Sequence, residues 1–136
     1  MRPTNAKQLA CWILCKSIAP HVFIGFSENS WYGDNESGKE AIFLNLNDRN
    51  PAFMKHLKKA HHFPQAYNYS EALWTALHEI GHHFTFDFCK PTTKEPKSNK
   101  AYFNMEIEWE ATEWAINFVK SHRIICKVFS LLMESN

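Results

Sequence analysis

The sequence predicts a small α+β domain, and three observations carry that reading. Apolar residues recur at helical spacing in several stretches along the chain. Two short runs, "HVFIGFS" (residues 21–27) and "EAIFLNLN" (residues 40–47), are instead β-branched and aromatic, as strands are. The order is therefore helix, strands, helix, helix, helix, without an internal repeat. With 136 residues the chain has the length of one domain, 1–136, and can bury one core.

The elements follow in order. Thr4 or Asn5 can cap a first helix that runs to about Ser17 and stops before Pro20. Cys11 and Cys15 lie one turn apart on it and read as small core residues. The two strands flank "WYGDNESGKE", whose Gly, Asp and Asn content reads as a turn, so the pair is predicted to form a hairpin. A short helix over residues 51–61 and an extended segment come next. Ser70 is an N-cap for the helix that follows, with Glu71 favourably placed in its first turn. "KPTTKEPKSNK" (residues 90–100), with two prolines and four lysines, reads as a solvated loop. A helix over residues 104–120 and a last one, "RIICKVFSLLME", close the chain.

Composition narrows the function classes. The chain is 45% hydrophobic and 21% charged, which excludes disorder and fibrous folds. Fifteen basic residues face fourteen acidic ones, a balance that argues against a dedicated nucleic-acid binder. No apolar run is long enough to cross a bilayer. At the N-terminus the apolar run from Leu9 to Cys15 is ended by Lys16, so an amphipathic helix is expected and not a secretory leader. Cys11, Cys15, Cys89 and Cys126 form no C-x-x-C pair, so the expectation is reduced thiols in a cytoplasmic protein.

The chemistry is concentrated in "SEALWTALHEIGHHFTFDF", which contains His78-Glu79-Ile80-Gly81-His82. On a helix, residues four apart share a face, so His78 and His82 can turn imidazole nitrogens to one metal ion. Glu79 then stands where it can take a proton from an activated water. With eight histidines in the chain, the pattern arises by chance in roughly a few per cent of such sequences. Placement raises it above chance. Leu73, Leu77, Ile80 and Phe84 make a core stripe on the same helix, and the histidines fall on the neighbouring stripe with Trp74 and Thr75. Gly81, costly inside a helix, makes sense if another backbone passes close by.

A hydrolytic zinc site uses three protein ligands. Six residues beyond His82 stands Phe88, with Thr85 where a glycine would be and Asp87 one residue off, so the helix itself does not supply the third. "NMEIEWEATEWAINFV" offers four glutamates. Glu106, Glu110 and Glu113 share a stripe with Asn117, a solvated face, whereas Glu108 lies with Ala111, Thr112, Ala115 and Val119. A carboxylate on a core face is costly unless it is paired or binds a metal. Glu108 is thus the expected third ligand, with Glu110 its rival.

Together these two segments resemble the ImmA/IrrE family of metallopeptidases. "WTALHEIGH" stands where the family carries its H-E-L-G-H, and "EWEATEWAINFV" (residues 108–119) is similar to the family's second helix, E-x-E-A-(N/D)-x-F-A-x-x-L-L-x-P. The likeness covers roughly residues 40–120. It departs at Thr112, where the family has Asn or Asp, and at "FVKS" (residues 118–121), where L-L-x-P is absent. The resemblance implies a minimal zincin-like domain, a small antiparallel or mixed sheet packed on the HExxH helix and a second Glu-bearing helix. It also implies one zinc ion on His78, His82 and Glu108, and a protein substrate such as a helix-turn-helix repressor; the charge balance and the lack of a long apolar run add the expectation of no direct role for nucleic acid or membrane. In such folds the substrate lies along an edge strand, expected here at residues 41–45. Tyr102, His122 or His83 are candidates to stabilise the oxyanion, and His61 and His62 are expected at the surface. The alternative is a metal-containing module that sequesters a regulator without cutting it.

Overall fold

The computed structural model describes residues 3–34, 40–47, 49–85 and 105–134. It is α+β: helix α1 (Ala6–Ile18), strands β1 (Phe23–Phe26), β2 (Trp31–Asp34) and β3 (Glu40–Leu44), then α2 (Pro51–Lys59) and a 3-10 turn (Pro64–Asn68). Helices α3 (Glu71–Thr85), α4 (Glu106–Ser121) and α5 (Arg123–Glu134) complete it. The helix starts are dictated locally. Asn5 accepts the Gln8 N–H at 2.8 Å, Asn50 the Phe53 N–H at 3.1 Å, and Ser70 the Leu73 N–H at 3.2 Å. Tyr102, Asp87, Phe88, Cys89 and the lysine-rich stretch lie outside the described residues. Among the described residues no helix is long and apolar enough to cross a membrane.

The sheet corrects the hairpin. β1 and β3 are parallel neighbours, Ile24 opposite Ile42, and β2 pairs antiparallel with the other side of β3. The supposed turn thus contains a strand. Gly33 and Asp34 gave it a turn's composition, but Trp31 stacks on its register partner Phe43 with centroids 4.6 Å apart. Phe23 reaches the same Phe43 from the other side at 5.6 Å. Such cross-strand aromatic pairs favour the strand over the local turn preference. β3 is therefore the central strand, and residues 41–45 are not an edge. The opposite face of the sheet, Ile24, Phe26, Ile42 and Leu44, is buried.

Against that face the helices close one core. Leu73, Trp74, Leu77 and Ile80 of α3 are fully buried, whereas Phe84, expected on the same stripe, is 48% exposed and stacks on Trp114 of α4. The segment expected to be extended after α2 forms the 3-10 turn instead. There the Trp74 indole N–H donates to the Ala66 carbonyl at 2.9 Å, inside a cage of Phe63 and Tyr69. Cys11 and Cys15 are buried free thiols, their sulfurs 3.9 Å apart. Helix α5 packs on α1 and α3, and its Ser130 hydroxyl accepts the Ser70 N–H at 2.6 Å.

His61 is not a surface residue. Its side chain is fully covered, stacked on Trp109, with Nε2 3.1 Å from Nε2 of His56 and Nδ1 3.3 Å from the Glu113 carboxylate. His62 does face solvent, in a left-handed backbone conformation. Burial, then the charges of His61 and His78, lower the pKa of His56 from 6.5 to about 4. Between those values the unfolded chain binds the proton and the folded chain does not. This contribution to stability is intact above pH 6.5 and is lost as pH falls toward 4. Thermal unfolding followed across that window should show a stability loss on acidification that is shallower in His56→Gln. Equal slopes for the two proteins would contradict the assignment.

Candidate metal centre

Two helices build the site, α3 with His78, Glu79 and His82 and α4 with Glu108 and Thr112. What brings them together is Gly81. A Cβ there would run into the carbonyl oxygen of Ala111, with the Ala111 carbonyl carbon at 3.0 Å and Cα at 3.1 Å. The close passage expected from that glycine is the backbone of α4, and it sets Glu108 one turn before the crossing point.

The Glu108 carboxylate consequently faces both histidines. Its Oε1 lies 2.8 Å from Nε2 of His78 and 3.2 Å from Nε2 of His82. All three side chains are largely covered, with 12%, 15% and 6% of the His78, His82 and Glu108 side chains exposed. One ligand atom from each of His78, Glu79 and His82 lies within 4.8 Å of the others, so this group could hold a metal ion. The imidazoles are braced from outside the helix pair. Phe53 of α2 meets His78 edge-on at 5.3 Å, and Tyr32 of β2 lies parallel to the His82 ring at 6.4 Å.

Hydrogen bonding decides what the site can accept. Thr112 Oγ1 donates to the Glu108 main-chain carbonyl at 2.9 Å and lies 3.1 Å from His78 Nδ1. Thr112 Oγ1 thus contacts Nδ1 of His78, and Nε2 of the same ring faces the Glu108 carboxylate. Two imidazole nitrogens and a carboxylate gathered in this way could hold a metal ion, and no sulfur stands among them in the described residues.

The titration directions agree with that geometry. Burial alone would push the Glu108 carboxyl up, but the hydrogen bonds to His78 and His82 outweigh it and hold it near 2. Burial likewise opposes protonation of His82, and the Glu108 bond and charge reverse it, raising the pKa. Glu79 is raised, chiefly by burial. Its carboxylate is thus a better proton acceptor than an exposed glutamate.

The other expected residues fall elsewhere. Glu110 is half-buried, and Glu106 and Asn117 are exposed, while Glu113 is taken by His61. His83 Nδ1 meets the Glu40 carboxylate at 2.6 Å, fastening α3 to the start of β3. His122 stacks on Phe118 and its Nδ1 lies 3.1 Å from the Phe118 carbonyl, at the end of α4 and about four turns beyond Glu108. Tyr32 and Phe53 were missed by sequence reasoning, the first because its strand read as a turn. The alternation that would have marked it, aromatic residues opposite a β-branched strand, is only four residues long.

Compared with known proteins, the chain matches no family model, no curated protein and no solved structure at a significant level.

Metal titration of the apoprotein, followed by cobalt absorption, tests the ligand set. Glu108→Ala should abolish tight binding and Glu110→Ala should not. Thr112→Val, which removes the brace on His78, should weaken binding by roughly 10- to 100-fold, and Thr112→Ser should restore it. Unchanged affinity in Glu108→Ala would rule out the assignment.

Proposed function

We propose that the protein is a zinc-dependent endopeptidase of zincin-like build. The observation that carries this reading is the Glu108 carboxylate set against both Nε2 atoms of a helical HExxH pair, with Glu79 beside them. His78, His82 and Glu108 would hold the ion, and imidazole with carboxylate suits zinc. When bound, zinc supplies Lewis acidity to water and to the scissile carbonyl.

The chain's own residues do the rest. Glu79 takes a proton from the attacking water and delivers it to the leaving amine, a role that its burial-raised pKa favours. Thr112 contacts Nδ1 of His78 so that Nε2 is the nitrogen facing Glu108, and Tyr32 and Phe53 pack beside the rings. The substrate strand moves from residues 41–45 to β2. That strand is an edge of the sheet, and its Tyr32 lies against His82, so an extended peptide added there would pass the site.

The resemblance to the ImmA/IrrE metallopeptidases points to a regulator as substrate, such as a helix-turn-helix repressor. The non-proteolytic binding module is the weaker reading. Thr112, where the chain departs from the family pattern, still makes two hydrogen bonds at the site, and a purely structural metal needs no general base.

Zinc-loaded wild type and Glu79→Gln, each added to host lysate, distinguish the readings. New protein termini are expected with the wild type alone, while Glu79→Gln retains the metal. Identical terminus profiles from the two proteins would remove the protease and leave the binding module.

A further inference from the structure

Hydrolysis of a peptide bond calls for a hydrogen-bond donor that meets the negative charge developing on the scissile oxygen. Two of the residues expected for that role are placed elsewhere. His83 turns its Nδ1 to the Glu40 carboxylate at 2.6 Å, and His122 lies about four turns beyond Glu108 on α4. The Thr112 hydroxyl is committed to Nδ1 of His78 and to the Glu108 main chain.

Tyr32 stands where such a donor is needed. Its register partner is Ile42, buried on the sheet face that packs on the helices, so strand alternation turns Tyr32 to that face as well. Trp31 turns the other way and stacks on Phe43, its ring lying over Gly33. On the inner face the Tyr32 ring is parallel to His82 at 6.4 Å and meets His83 at 6.1 Å, edge to face. Ile24, Phe26, Ile42 and Leu44 on the same face are buried, but Tyr32 is half-buried, at the rim of the core. β2 is also an edge of the sheet, so a peptide pairing with it runs beside this side chain. Packing on His82 does not require a tyrosine, since phenylalanine offers the same ring without a hydroxyl.

We propose that the Tyr32 hydroxyl donates the hydrogen bond that stabilises the oxyanion, which makes Tyr32 a catalytic residue. The inference rests on the peptidase reading. As water adds to the scissile carbon, its proton passes to Glu79 and the carbonyl π pair moves onto the oxygen, where the Tyr32 O–H meets it. When the C–N bond breaks, that pair returns to the carbon and the proton on Glu79 goes to the amine. Tyr32 transfers no proton and needs none back.

Tyr32→Phe tests the proposal, because it removes the hydroxyl and keeps the ring against His82. Cobalt affinity should be unchanged. Acetohydroxamate, whose carbonyl oxygen stands in for the scissile one, is titrated into the cobalt-loaded protein and followed by the visible bands. It should bind at least about tenfold more weakly to Tyr32→Phe than to the wild type. On a protein that the zinc-loaded wild type cuts, Tyr32→Phe should lower kcat about 100-fold and leave KM nearly unchanged. Equal acetohydroxamate affinity and equal kcat in the two proteins would overturn the assignment while the peptidase reading stands. A parallel fall in cobalt affinity would overturn it too, by making Tyr32 a support for His82. A metal-loaded wild type that cuts no protein would remove the peptidase reading and this role with it.

Discussion

Gly81 and Ala111 meet where α3 crosses α4, and the candidate site depends on that closeness. Helix axes usually stay 8–10 Å apart because side chains hold them off. Here the missing Cβ of Gly81 lets a carbonyl of α4 rest against the α3 backbone. Glu108, one turn earlier, then arrives within 2.8 Å of His78 and 3.2 Å of His82. Were the helices held apart by a methyl group, a side chain as short as glutamate would no longer touch both rings. The glycine's low helix propensity is the local cost of a contact that only the tertiary structure explains.

Electrostatics carries the same constraint further. Glu108 is among the few charged groups buried in the described residues. An isolated carboxylate there would neutralise itself by taking up a proton. It does the opposite, held near 2 by the two imidazoles. Thr112 directs this cluster, because its contact with Nδ1 of His78 leaves Nε2 facing Glu108. A metal ion held by these groups would take the place of the protons between them, so its binding would weaken on acidification.

The helices, two of the three strands and the meeting of Glu108 with His78 and His82 were legible in the sequence, and the pairing of the strands was not. Asn5 and Ser70 announce helix starts by local chemistry, and α5 follows its periodic run from Arg123 to Glu134. Glu108 was separable from Glu110 because burying a carboxylate among alanines and a threonine is costly without a partner, a statement about one helix face alone. β2 was lost because its stabilising contacts are not local. Trp31 is held by Phe43, twelve residues away, and nothing within "WYGD" reveals that partner. The parallel pairing of β1 with β3 is non-local in the same way. His61 was misplaced for a related reason, since only the return of α4 puts Trp109 and Glu113 over it. Phe84 departs from its stripe because α3 leaves the core before its last turn, where Trp114 meets it at the surface.

The most direct test of the account is X-ray absorption spectroscopy on the full chain loaded with one equivalent of zinc. The two histidines and Glu108 predict a first shell of nitrogen and oxygen alone, with the multiple-scattering signature of two imidazoles. A sulfur in that shell, or zinc that does not bind stoichiometrically, would contradict it.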